Sequence, residues 1–192
     1  AGSGPTRDEK VALAVEECRR TGITVLPPDI NKSDVGFTIE KIEEKEVIRF
    51  GLSAIKNVGT AAIENILASR QKGGKLKSLV DFCLRVDLQK VNRKTLESLI
   101  KAGAMDAFGR RAAMLSSSGK VMAETHKEQK RASAGQTTFF PGIGGDNGDP
   151  NDKPELPEIE ELTQAELLAF EKDFLGFYLT DHPLASVLAY FE

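Results

Sequence analysis

The stretch LSAIKNVGTAAIENIL, residues 52–67, decides how this 192-residue chain is read. Leu52, Ile55, Val58, Ile63 and Ile66 mark one apolar face at helical spacing, and that face breaks and resumes around Lys56-Asn57-Val58-Gly59. The pattern predicts helices over 52–56 and 59–72 joined by a very short bend, with the small residues Ala61 and Ala62 permitting a close crossing. Gly59 lets the backbone turn there and leaves no side chain in the way of a ligand. The second helix then starts with unpaired amides pointing outward, which makes the bend an anion site.

Such a hairpin resembles the helix-hairpin-helix motif of DNA-binding proteins, whose bend amides hold a backbone phosphate without reading bases. In that motif the usual loop is Gly-apolar-Gly, and here Asn57 stands in place of the first glycine. Asn tolerates left-handed backbone angles better than most residues, so the loop geometry survives the exchange. The phosphate-contacting set is therefore Lys56, Asn57, Val58, Gly59 and Thr60. A weaker second copy follows about 44 residues on in LESLIKAGAMDAFGRRAAML, residues 96–115. It places Lys101, Ala102, Gly103 and Ala104 at the bend and Arg110 and Arg111 at the start of the next helix. Two such hairpins related by approximate twofold symmetry would address the two strands of one duplex.

Charge supports the same partner. The formal net charge of −3 conceals a basic middle, because residues 51–134 carry 16 Lys and Arg against 7 Asp and Glu. Residues 135–192 carry 2 against 12, so a polyanion-binding middle is followed by an acidic tail. A hydrophobic content of 40% with 29% charged residues is near the globular average and argues against wholesale disorder. No apolar run approaches the roughly 20 residues needed to cross a bilayer, so no membrane partner is expected. Cys18, Cys83, His126 and His182 are the only cysteines and histidines, and none lies at metal-ligand spacing from another. They read as structural residues, and the sequence leaves a Cys18–Cys83 disulfide open.

Around the hairpins the chain is expected to be mainly α. Residues 7–21 cluster Val11, Leu13, Ala14, Val15 and Cys18 at helical spacing before Gly22. The prolines of ITVLPPDINKS (23–33) forbid helix, and GFTIEKI and EVIRF read as two strands of a hairpin, completing a small α+β piece over 1–50. Glu40, Glu43, Glu44 and Glu46 read as its solvated surface. Further helices are predicted over 78–86, 92–102 and 110–131, the first capped by Ser78 with Asp81 as partner. Residues 142–161 form a flexible linker whose Gly, Pro, Asp and Asn content leaves little to bury. Asp146, Asp149 and Asp152 lie at intervals of three, not at the alternate positions an EF-hand loop requires. A helix over 162–174 with Thr163 and Glu166 as a capping box follows, then GFYLT as a strand or extended segment, then a short helix from His182-Pro183.

Taken in order, GITVLPPDINKS, FGLSAIKNVG, LVDFC, LIKAGAMDAFG and LGFYLTDHPL resemble the C-terminal half of the bacterial DNA polymerase III alpha subunits, across residues 7–192. The resemblance implies that residues 1–50 close a fingers region and that 51–134 are a paired helix-hairpin-helix domain gripping duplex DNA. It implies that 135–141 carry a sliding-clamp-binding peptide and that 162–192 lead toward an OB-fold. Gln136, Thr137, Thr138, Phe139 and Phe140 resemble the family's Gln-x-x-Leu/Met-Phe pattern, with Phe139 as the departure. Two adjacent phenylalanines in a polar, Gly-rich setting are suited to filling an apolar pocket on a partner, and Gln136 can use both halves of its amide. No catalytic residue, metal or cofactor is expected in this stretch, since the carboxylates and Mg2+ of a polymerase would lie in the palm, upstream. The resemblance also implies other replisome subunits as partners and the bacterial cytoplasm as location. Two rival readings remain at this stage: a small DNA-repair enzyme docking through its hairpins, and a connector whose hairpins only pack.

Overall fold

The computed structural model describes residues 6–133 and 156–179. Helix α1 (Arg7–Arg20) starts at Thr6, which shares a reciprocal capping box with Glu9. Only Val15 of its apolar set is fully buried, and Leu13 is left 60% exposed. A three-stranded sheet follows: β1 (Val25–Leu26), β2 (Thr38–Ile42) and β3 (Lys45–Arg49), in the order β1-β3-β2. The expected hairpin is present, with Ile42 opposite Lys45 and Thr38 opposite Arg49. Its two-residue turn is made by Glu43 and Glu44, both at positive φ (48° and 66°). The parallel strand β1 was not anticipated, because two residues beside a Pro-Pro pair carry no alternation to recognise. Arg49, only 5% exposed, is held by both Glu40 oxygens at 2.9 Å and by the Pro27 carbonyl at 3.0 Å, which rivets the sheet from within.

The Pro-rich loop behaves as turn chemistry dictates and also fastens the sheet to the helices. Asp29 accepts from the Asn31 amide, and Ser33 donates to the Phe50 carbonyl. Asn31 exchanges two hydrogen bonds with the backbone of Leu76, Arg70 holds the Ile30 and Ser33 carbonyls, and the Ile30 amide donates to Ala104. One apolar cluster therefore contains Val15, Ile30 and Phe50 together with Ile63, Phe82, Leu99 and Met114, so packing is continuous across residue 50.

The helices are α2 (Thr60–Gly73), α3 (Leu79–Arg85), α4 (Arg93–Lys101), α5 (Arg111–Ser133) and α6 (Gln164–Leu175). Their ends follow local chemistry. Ser78 caps α3 through the Asp81 amide, Asn92 caps α4 through Thr95, and Thr163 with Glu166 forms the capping box of α6. Arg85 closes the other end of α2 by donating to the carbonyls of Ser69 at 2.7 Å and Gly74 at 2.8 Å. Cys83 is buried, its thiol pushed up to about 12 by desolvation, and both cysteines are free thiols. The mainly α class with a small α+β piece is thus observed among the described residues. Gly176–Leu179 does not form a strand; Phe177 turns inward, its ring 5.7 Å from that of Phe50. The expected helix from His182 lies outside the described residues, as do residues 142–155 of the linker with its aspartates, while residues 156–161 pack back on the start of α5.

Candidate nucleic-acid interface

The first hairpin is open, but only one of its arms is an α-helix. Instead of a helix over 52–56 there is a single 3-10 turn, Leu52–Ala54, followed by extended Ile55. The reason lies in the amides. Leu52 and Ser53 donate to the carbonyls of Asp34 and Val35, and Lys56 donates to Phe174, so three N–H groups are drawn into tertiary bonds. Asn57 then adopts φ 64°, the left-handed geometry expected for the residue in the glycine position. Gly59 is the N-cap of α2 and has no side-chain partner there; a Cβ on it would meet nothing within 4 Å.

Lys56, Asn57, Gly59 and Thr60 are exposed, while Val58 is buried and anchors the bend to the core. Among the described residues, no protein acceptor takes the amides of Gly59, Thr60 or Ala61. A depression of about 390 Å³, bounded by residues 53–59, lies at this bend. The bend is also braced from behind. Thr95 Oγ1 donates to the Asn57 carbonyl at 3.2 Å, and the Asn57 side-chain amide approaches Ser98 Oγ at 3.4 Å. Three adjacent donors, held on a rigid turn and not satisfied by the protein, match the requirements of a phosphate cradle.

The second hairpin differs from the first in that its bend is buried. Ala102, Gly103 and Ala104 are buried. Their amides donate to the carbonyls of Ser98, Ile100 and Leu99, at 2.9, 3.0 and 3.0 Å. Gly103 does take the left-handed geometry of a bend (φ 80°), but the space a Cβ would need is filled by the Arg111 guanidinium. Arg111 is committed to Asp106 through two bonds of 2.8 and 2.7 Å and to the Lys101 carbonyl. Arg110 is exposed and donates to the Ile159 carbonyl. The half-buried Lys101 ammonium sits 5.3 and 5.5 Å from the ring centres of Phe170 and Phe174.

Glu161, which sequence reasoning missed, lies at the N-terminus of α5, the helix that follows this bend. Its carboxylate accepts the Arg111 amide at 2.9 Å and the Ala112 amide at 3.0 Å, so the N-terminus of α5 already holds an anion. Burial works to raise its pKa. The N–H groups of Ala112, Leu162 and Arg111, with the charge of Arg111, outweigh burial and hold the carboxyl below its ordinary value. No local signal could have paired Glu161 with residues about 50 positions earlier. The amides of Ala102, Gly103 and Ala104 are thus bonded within the protein, and the cations of Lys101, Arg110 and Arg111 have partners within it as well. Gln136, Thr137, Thr138, Phe139 and Phe140 lie outside the described residues. Among the described residues there is no cluster of potential metal ligands and no helix long and apolar enough to cross a membrane.

Residues 22–114, which span both hairpins, match the family model of the helix-hairpin-helix motif. The chain is 41% identical over 176 residues to DNA polymerase III subunit alpha of Thermus aquaticus, covering 92% of this chain and 13% of that protein. It is 40% identical over 181 residues to the same subunit of Vibrio cholerae, covering 94% of this chain and 15% of the relative. The Pseudomonas aeruginosa subunit is 33% identical over 192 residues, covering 92% of this chain and 16% of the relative. The chain thus spans roughly one-seventh of the length of these curated relatives. Across about nine-tenths of its residues the chain is therefore similar to one segment of the bacterial DNA polymerase III alpha subunits, and that segment carries the helix-hairpin-helix match.

Proposed function

We propose that this chain is the duplex-gripping and clamp-tethering segment of a bacterial replicative DNA polymerase catalytic subunit. The observation that carries the reading is the open bend at residues 57–60, with the Gly59, Thr60 and Ala61 amides unclaimed and Lys56 beside them. A phosphate received there gains three N–H bonds and the positive end of α2, with no contact to a base edge, so binding is independent of sequence. The match to the helix-hairpin-helix model supports this use of the bend. Clamp tethering rests on Gln136, Thr137, Thr138, Phe139 and Phe140 alone; a tether raises the local concentration of polymerase at its primer end without improving any single contact. The polymerase chemistry, its Mg2+, the other replisome subunits and the cytoplasmic setting belong to this proposal through the relatives.

Binding of a 20-base-pair duplex of arbitrary sequence, titrated across salt, tests the grip. Affinity should fall steeply with salt, and Lys56→Glu or Gly59→Asp should weaken it; equal binding at low and high salt would remove the electrostatic account. For the tether, Gln136→Ala with Phe140→Ala should abolish capture by immobilised clamp while duplex binding stays intact. Normal clamp capture by that double variant would place the clamp contact elsewhere.

A further inference from the structure

The sealed second bend leaves the duplex without the second contact that the paired motif suggests, and the accounting of charges shows what is available in its place. Arg70, Arg85, Lys101 and Arg111 are engaged by carbonyls, rings or carboxylates of the protein, while Arg110 stays exposed and gives one N–H to the Ile159 carbonyl. Lys56, Lys72, Lys75, Lys77, Lys90, Lys94, Lys127 and Lys130 are exposed and form no ion pair among the described residues, and of these Lys90 and Lys94 flank the N-terminus of α4, the helix that braces the open bend.

Lys90 and Lys94 are held to the open hairpin by a short chain of bonds. The Ser98 hydroxyl, which faces the Asn57 side chain, donates to the Lys94 carbonyl at 2.8 Å. Lys94 and Ser98 are one turn apart on α4 and so share the face that meets the bend. The turn carrying Lys90 is fastened to the second turn of α2, where the Asp87 amide donates to Asn65 Oδ1 at 2.8 Å and the Lys90 amide returns to the Asp87 carbonyl. Asn92 caps α4 by accepting the Thr95 amide, and Lys90 and Lys94 add side-chain charge at this helix end.

We infer that Lys90 and Lys94 form, with the bend at Asn57–Thr60, one phosphate-tracking surface, and that they supply the second backbone contact to a duplex in place of the second hairpin. This rests on the reading of the first bend as a phosphate cradle. Lysines suit the role because a flexible point charge follows a sugar-phosphate rail without demanding one geometry.

The test uses the whole 192-residue chain and a 20-base-pair duplex, with affinity measured from low to high salt. Lys90→Glu with Lys94→Glu should weaken binding by about tenfold per lysine at 0.1 M salt and flatten the log–log salt dependence by about 1.8. The control is Lys72→Glu with Lys75→Glu at the opposite end of α2, about 20 Å away by helix rise, which should leave affinity within about twofold. Circular dichroism melts confirm that each variant is folded. Should both pairs weaken binding equally, or neither do so while Lys56→Glu does, the α4 surface is refuted and the cradle stands. If Lys56→Glu and Gly59→Asp also bind normally, the cradle itself is lost and this inference with it.

Discussion

Replacing Glu161 with Gln separates the two hairpins experimentally. The carboxylate holds two α5 amides, one on each oxygen, and a third N–H from Leu162. Gln keeps the shape but turns one acceptor into an NH2 group facing an N–H donor, so one bond is lost, and the charge at the helix N-terminus goes with it. Capping losses and the helix dipole together set the cost at about 1–2 kcal/mol. In urea this is a fall in midpoint of about 1 M for a slope in the usual range. The sign with pH is fixed. Glu161 has a folded-state pKa below its unfolded one, so its contribution is complete above the ordinary Glu value and is lost as pH falls through the lowered one. The gap between wild type and Glu161→Gln should therefore hold from pH 7 to about pH 5 and close below about pH 4. A gap that stays constant into acid, or no gap at neutral pH, would refute the assignment. Duplex affinity should not change; a clear rise would mean that the second bend is a masked phosphate site and not a structural post.

Two further substitutions probe backbone geometry. Gly103→Ala places a Cβ at φ 80° and into the Arg111 guanidinium, so it should cost about 2–4 kcal/mol in chemical denaturation, with loss of the Arg111–Asp106 pair. Conversely, Glu43→Asn with Glu44→Gly gives the β2–β3 turn the residues its two left-handed positions favour and should raise stability by about 1 kcal/mol in the same assay, leaving duplex affinity unchanged; a loss of stability would refute the turn geometry.

What the sequence made legible was whatever a few neighbouring residues decide. The caps at Ser78 and Thr163, the β2–β3 hairpin, the αL position of Asn57 and the start of α2 each follow from chemistry within about four residues. What it did not show were competitions settled at a distance. Residues 52–56 have a helical pattern, yet Asp34, Val35 and Phe174 take their amides and leave one 3-10 turn. LIKAGAMDAFGRR resembles its earlier counterpart in composition, but the earlier bend is exposed and this one is covered by residues about 50 to 70 positions later. Segment charge was similarly coarse: the excess of Lys and Arg in the middle of the chain is real, but several of those cations close helix ends or pair internally.

The same return segment explains why one hairpin can be open because the other is closed. Residues 156–177 run back along the helices and touch both bends: Glu161 fills the α5 N-terminus, the rings of Phe170 and Phe174 cover Lys101, and the Phe174 carbonyl takes the Lys56 amide. That last bond draws one N–H of the first bend inward, while Thr95 and Ser98 hold Asn57 from the α4 side. Gly59, Thr60 and Ala61 are left as the amides for which the protein has no use. A loop fixed on two sides before its ligand arrives loses little conformational entropy on binding, so a single phosphate cradle can be effective without help from base contacts. The second hairpin, with the Glu161 carboxylate on its following helix and Thr95 and Ser98 against Asn57, contributes rigidity to the first.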